Sequence, residues 1–211
     1  MDCELIGKGR VASVSRAADR ALKQFRQHSL DAVVEEARIE SFPPIENPGA
    51  RLLILGTMPS VVSLQQAFYY AHPRNCFWPM MAEILGETRP QTDEDKRHML
   101  SAHGIALWDV AKSCVRPGSL DSHIKDALPN DIHGLLARCP KIELILLNGG
   151  TAMALYRKML PTLAISHPCR QMPSTSPAYT LPYEQKRSAW AEALGPLLTK
   201  KEGYPDAEHV V

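Results

Sequence analysis

The densest chemistry in the chain lies between Phe68 and Trp78, where the order is Phe-Tyr-Tyr-Ala-His-Pro-Arg-Asn-Cys-Phe-Trp. Phe68, Tyr69 and Tyr70 offer flat apolar faces that suit a nucleobase, and stacking of a base on such a ring contributes ~1–3 kcal/mol. Three successive aromatics cannot all point into a core, so at least one must face a surface or a pocket. Asn75 falls near the start of the next helical stretch, where an N-cap and a ligand-facing carboxamide are both open to it. Upstream, Gly56-Thr57-Met58-Pro59-Ser60 reads as a turn whose main-chain amides can face a ligand.

Two further polar residues follow apolar runs. Asp109, in the run Ile105–Val110, could activate a water molecule or brace the neighbouring loop. Asn148, after Ile142–Leu147, presents both a donor and an acceptor, which can read a base edge or brace the Gly149-Gly150 turn. Cys76, His72 and Asp109 are also the ingredients of a thiol hydrolase, a reading that requires the cysteine and histidine to meet in space. The turn Leu147-Asn148-Gly149-Gly150-Thr151 could cradle a phosphate at a helix N-terminus, but the P-loop lysine and the G-x-G-x-x-G spacing are both absent.

Positioning such residues requires a scaffold, and the hydrophobic pattern supplies one. Leu52–Leu55, Ile105–Val110 and Ile142–Leu147 are short continuous apolar runs that read as buried parallel strands. Between them lie helical patterns over Phe77–Leu85, Asp93–Ala102 behind a Thr92-x-x-Asp95 capping box, Ile132–Cys139 and Ala152–Leu160. A last helix starts at Pro182 and runs through Trp190, Leu194 and Leu197. The alternation predicts an α/β fold, with ligands gathering at the carboxyl ends of the strands. Residues 1–45 read as an amphipathic helical extension and linker, its second part spanning Leu30–Glu40. Residues 46–202 form the α/β domain, and 203–211 a tail. The extension is either a helix packed on the domain or a DNA-contacting or targeting element, the early acids weighing against targeting.

The 211 residues, 45% of them apolar, suffice for one self-supporting core without metal or disulfide staples. Five cysteines with no C-x-x-C pair indicate neither a zinc ribbon nor a disulfide framework. A formal charge of +1 does not announce a nucleic-acid partner, yet an enzyme touching a few phosphates needs only a local basic patch. Arg74, Lys112, Arg116, Arg170, Lys186 and Arg187 could supply that rim. The acidic start Met-Asp-Cys-Glu and the absence of a long apolar run make a cytoplasmic monomer the default expectation.

The stretch Tyr70-Ala71-His72-Pro73-Arg74-Asn75-Cys76-Phe77-Trp78 resembles the aromatic-x-His-Pro-x-Asn-x-Phe-Trp signature of the uracil-DNA glycosylase superfamily. Leu107-Trp108-Asp109-Val110 with Cys114 and Arg116, Leu147-Asn148-Gly149-Gly150-Thr151-Ala152, and Pro173-Ser174-Thr175-Ser176-Pro177-Ala178 agree in order. Together, over roughly Phe42–Leu198, they resemble its hypoxanthine-DNA glycosylase family, with the first motif also similar to the mismatch-specific uracil enzymes.

The resemblance implies a three-layer α-β-α sandwich around a mainly parallel four-stranded sheet, and a DNA repair glycosylase acting on deaminated bases, deoxyinosine first. Most superfamily members carry a polar residue where this chain has Met58, and a thioether cannot position water. The hypoxanthine family is similar in that departure, and its catalytic residue falls on Asn75, with Asp109 as a weaker second. Base contacts are expected from Gly56, Thr57, Met58, Tyr70 and Asn148. DNA contacts are expected from His72, Arg74 and the serine-proline loop residues Ser174, Thr175 and Ser176. No metal or cofactor is expected, and the lack of a lysine in the core motifs predicts a monofunctional reaction. The alternatives are a uracil- or mismatch-directed glycosylase and a non-catalytic binder of flipped or single-stranded damaged bases.

Overall fold

The computed structural model describes residues 38–198. The readings made for residues 1–37 and for the tail 203–211 lie outside these described residues.

Strand β1 is Arg38–Glu40 and β2 is Leu52–Gly56. Three helices follow: α1, Val61–Gln65; α2, Phe77–Leu85; and α3, Asp93–Ala102. Then come β3, Ile105–Asp109; β4, Ala111–Val115; and β5, Lys125–Pro129. Helix α4 is Ile132–Arg138, β6 is Leu144–Asn148, α5 is Gly150–Met159 and α6 is Pro161–Ser166. Strand β7, Cys169–Met172, and helix α7, Tyr183–Leu198, complete the described chain.

A four-stranded sheet runs β3-β2-β6-β7 with every neighbouring pair parallel. Each residue of β2 and β3 is buried, which an apolar run achieves only when both sheet faces are covered; helices flank this sheet and make the sandwich. The core gathers on it, with Phe77, Met80, Met81, Tyr156 and Trp190 among its largest fully buried side chains. Strand β2 is central: the chain leaves it for β3 on one side and returns to β6 on the other. Such a reversal opens a crevice beyond the carboxyl end of β2, where Gly56 stands. The expected capping box is formed, with Thr92 Oγ1 accepting from the Asp95 amide at 3.1 Å and Asp95 Oδ2 from the Thr92 amide at 2.8 Å. Among the described residues no helix is long and apolar enough to cross a membrane.

A second, antiparallel sheet in the order β1-β4-β5 was not anticipated. Its β1 occupies residues read as the end of a helix over Leu30–Glu40. Arg38 and Glu40 are exposed and Ile39 half-buried, a period-two alternation too short to distinguish from a helix before its partner β4 is known. Strand β5, Lys-Asp-Ala-Leu-Pro, has no apolar run, and its pairing with β4 is broken by register shifts around Ser113.

Candidate active site

A cavity of about 230 Å³ opens beyond β2, β3 and β6. The parallel register sets Gly56 opposite Asp109. A Cβ on Gly56 would lie 2.5 Å from Asp109 Oδ1 and 2.9 Å from Tyr70 Oη, so only glycine lets these groups converge. Tyr70 has φ +52, a left-handed conformation that costs an L residue energy and is a recurrent mark of functional sites. Its ring lies against Phe77, with centroids 4.1 Å apart and planes 31° apart. Its hydroxyl is buried with no hydrogen bond of good geometry, although the Asn148 carboxamide lies close enough to favour its ionised form. Burial, then the Asp109 charge, push this phenol above its ordinary range, so it stays neutral. Phe68 and Tyr69 are core residues, though Tyr69 also reaches the cavity wall, which Tyr70 and Tyr179 line with it.

Asn75 lines the same cavity. Its Oδ1 accepts from the Phe77 amide at 3.0 Å, which fixes which carboxamide atom is oxygen and supports the first turn of α2. The N-cap itself is Cys76, whose side chain makes no cap hydrogen bond; Asn75, one residue earlier, bonds the first helical amide while lining the cavity. The carbonyl oxygen keeps a second lone pair for a water molecule.

Asp109 is 3% exposed, and its Oδ2 accepts from Ser41 Oγ at 2.8 Å. Its carboxyl is pushed up to about 7, chiefly by burial; the Asp121 carboxylate adds to the rise, while Ser41 and Arg116 oppose it. Asp121 accepts from Thr57 Oγ1 at 2.6 Å and from Arg116 Nη1 at 3.1 Å. Arg116 also donates to the main-chain oxygens of Gly118 and Pro59, tying the loop after β4 to the turn after β2.

Asn148 is turned toward the serine-proline loop. Its Nδ2 donates to Thr175 Oγ1 at 2.9 Å, and its Oδ1 accepts from the Thr175 amide at 3.0 Å. The Thr175 carbonyl in turn accepts from the Cys76 amide at 3.2 Å. The third strand, the serine-proline loop and the Asn75 segment are thus joined through Thr175.

The family model described as the uracil DNA glycosylase superfamily matches residues 43–195. A hypoxanthine DNA glycosylase of Methanosarcina barkeri (strain Fusaro) is 34% identical over 156 residues, covering 74% of this chain and 97% of the relative. One of Methanosarcina acetivorans is 35% identical over 150 residues, 71% and 93% of the two chains. The chain belongs to the uracil DNA glycosylase superfamily. Its enzyme class is accordingly that of a DNA N-glycosylase, a hydrolase of the bond between base and deoxyribose. A solution NMR structure from Methanosarcina acetivorans, provisionally described as a uracil DNA glycosylase, superposes with TM-score 0.66 at 32% identity. It covers 76% of this chain and 99% of the other, which establishes the sandwich as the superfamily fold.

As a superfamily glycosylase the chain brings Gly56, Thr57, Met58, Tyr70, Asn75, Asp109, Asn148, Ser174, Thr175 and Ser176 to one cavity. Thr175 is 1% exposed, with hydroxyl, amide and carbonyl all bonded inside the protein, where it braces the loop. Asn148 exchanges two hydrogen bonds with Thr175, and its carboxamide also lies against the Tyr70 hydroxyl. Met58 packs with Ala111 and Cys114. Of the proposed basic rim, Arg116 and Lys186 are buried, while Arg170 and Arg187 are paired with glutamates; Arg74 and Lys112 are exposed. His72 is half-buried, and its Nδ1 accepts from the Arg74 amide at 3.1 Å.

The thiol hydrolase reading finds no support, because Cys76 and His72 each bond a main-chain group and not one another. Cys76 Sγ donates to the Thr175 carbonyl at 3.4 Å, and burial raises its pKa away from the thiolate. Sequence reasoning missed Ser41, which lies before the motifs, and Asp121, which lies in a loop with no pattern. Among the described residues no three His, Cys, Asp or Glu side chains converge as a metal set.

Proposed function

We propose that this glycosylase releases hypoxanthine from deoxyinosine in DNA by monofunctional hydrolysis. The observation that carries the reading is the pairing of the Tyr70 ring with the Asn75 carboxamide across one base-sized cavity, in a chain whose residue 58 is a thioether. At about 230 Å³ the cavity falls below the ~300–1,000 Å³ of drug-sized pockets and suits a single heterocycle. The relatives named hypoxanthine DNA glycosylase support the choice of base.

In this reading the nucleotide leaves the duplex and its base lies on the Tyr70 face opposite Phe77. The Tyr70 hydroxyl, beside the Asn148 carboxamide, gains a further polar neighbour. Asn75 Oδ1 holds a water molecule against the sugar carbon, acting by position, because a carboxamide is no base near neutral pH. Asp109 takes the proton of that water when ionised, and its charge favours the developing oxocarbenium ion. Ser174 and Ser176 hold the strand beside the flipped nucleotide, setting register without reading sequence.

Oligonucleotides carrying single deoxyinosine, deoxyuridine or deoxyxanthosine residues, treated with the protein and then alkali, test the reading. Cleavage greatest at deoxyinosine is expected. Greater cleavage at deoxyuridine would move the assignment to a uracil enzyme, and borohydride trapping of a covalent adduct would overturn the monofunctional step.

A further inference from the structure

Two basic side chains, Arg116 and Lys186, are buried among the described residues, each 5% exposed. Their neighbours differ. Arg116 is paired with the Asp121 carboxylate at 3.1 Å. No ion pair joins Lys186 to a carboxylate among the described residues. Its Nζ donates instead to the main-chain oxygens of Tyr179 at 2.7 Å and Ser176 at 3.4 Å, and lies 5.3 Å from the Tyr179 ring centroid.

Taking an ammonium out of water is costly, and a carboxylate partner is the ordinary compensation. Position adds to the cost, because Lys186 lies in the first turn of α7, where the partial positive charge of the helix end disfavours a cation. The acid of that turn, Glu184, accepts from Arg187 at 3.1 Å. The Lys186 charge is felt at the site: burial pushes the Cys76 thiol up, and Lys186 opposes the rise, one residue from Asn75. Above the ammonium, Ser174 Oγ accepts from the Ser176 amide and Ser176 Oγ from the Ala178 amide, both at 3.2 Å, so each hydroxyl keeps its own proton to donate. Both serines are half-buried and line the cavity.

We propose that Lys186 is the counter-charge of the DNA phosphate held by Ser174 and Ser176, a positioning residue that acts through the serine-proline loop. The inference rests on the glycosylase reading, because it takes a DNA strand as the ligand. The two main-chain bonds of the ammonium fix the loop at Ser176 and Tyr179. Its charge, little screened by water, draws a phosphodiester to the two hydroxyls, a contact that sets register without reading sequence. The phosphate supplies from outside the compensation that no carboxylate gives Lys186 among the described residues.

The test reads binding to a duplex that carries a tetrahydrofuran abasic analogue, which needs no turnover. Wild type is compared with Lys186→Gln, which can still donate to the Tyr179 carbonyl but has no charge, and with Lys186→Arg, which keeps the charge. Lys186→Met is a second neutral variant. Loss of the charge should flatten the slope of log Kd against log salt by about one, and arginine should retain the wild-type slope. Neutral methylphosphonates placed singly at the phosphates flanking the lesion locate the contact: at one of them, wild type and Lys186→Gln should bind alike. A slope unchanged by both neutral variants, a slope that arginine flattens as much as glutamine does, or a difference that survives every methylphosphonate would overturn the proposal and leave Lys186 a brace for the loop. A wild-type protein inert on every altered base would sink the glycosylase reading, and binding to the abasic duplex would still decide the role of Lys186.

Discussion

Asn148 and Thr175 exchange two hydrogen bonds, at 2.9 and 3.0 Å, across a buried contact that ties the end of the central sheet to the serine-proline loop. Because the Thr175 carbonyl also accepts from the Cys76 amide, the loop is fixed relative to Asn75 as well. Thr175→Val keeps the volume and the amide but leaves Asn148 Nδ2 without its acceptor. A loss of ~1–3 kcal/mol is expected in denaturant unfolding, with KM for damaged DNA raised as the loop loosens. Unaltered stability would show that the pair is solvated and braces nothing.

Asn75 has two duties that substitutions can separate. Asn75→Ala removes the acceptor for the Phe77 amide, costing ~1 kcal/mol of stability, together with the group that holds the water. Excision should drop ~10²–10³-fold, as when a positioned polar group is removed from other active sites. Asn75→Asp keeps the acceptor, so thermal unfolding should return to the wild-type midpoint. If Asn75→Ala loses stability while base release in single-turnover assays is undiminished, Asn75 only braces the start of the helix.

The legibility of the molecule followed its physics. The runs Leu52–Leu55 and Ile105–Val110 could be read as strands because burial on both faces demands unbroken apolar residues, and Phe77–Leu85 was placed to the residue. Strand β5 was invisible because its identity comes from pairing with β4 and not from its own side chains. In the site, Tyr70 and Asn75 are singled out by the motif resemblance, whereas spacing alone leaves three aromatics and a helix cap open. Ser41 meets Asp109 across 68 positions, and no local pattern could announce such a contact.

Gly56 is the position where addition of one methyl group is most informative. The new Cβ would sit 2.5 Å from Asp109 Oδ1 and 2.9 Å from Tyr70 Oη, so both side chains must move out of the site. Gly56→Ala should therefore lose excision activity by more than tenfold and bind damaged DNA more weakly. Gly150, where a Cβ would lie 3.7 Å from Gln171 Nε2, serves as the comparison: Gly150→Ala should keep near-wild-type excision. Equal effects at the two positions would contradict the close convergence over Gly56.

The Asp109 carboxyl, raised to about 7, gives the enzyme a pH dependence whose sign is fixed by its neighbours. As the base it must be ionised, so excision should fall as pH drops below about 7. Ser41 donates to the ionised form and lowers the pKa; Asp121 repels that form and raises it. Ser41→Ala should thus move the acid limb of kcat to higher pH and Asp121→Asn to lower pH, opposite shifts that general loosening of the fold would not produce. Stability runs the other way from activity. With a folded-state pKa above the ordinary 3.8, the native protein holds this proton more tightly than the unfolded chain, so the group weakens the fold increasingly from about pH 4 to 7. Asp109→Asn should relieve that strain, raising stability by up to about 4 kcal/mol at pH 8 and much less at pH 5 while reducing excision. Urea midpoints that rise equally at both pH values, or an acid limb indifferent to Ser41 and Asp121, would show that this carboxyl does not titrate in the working range.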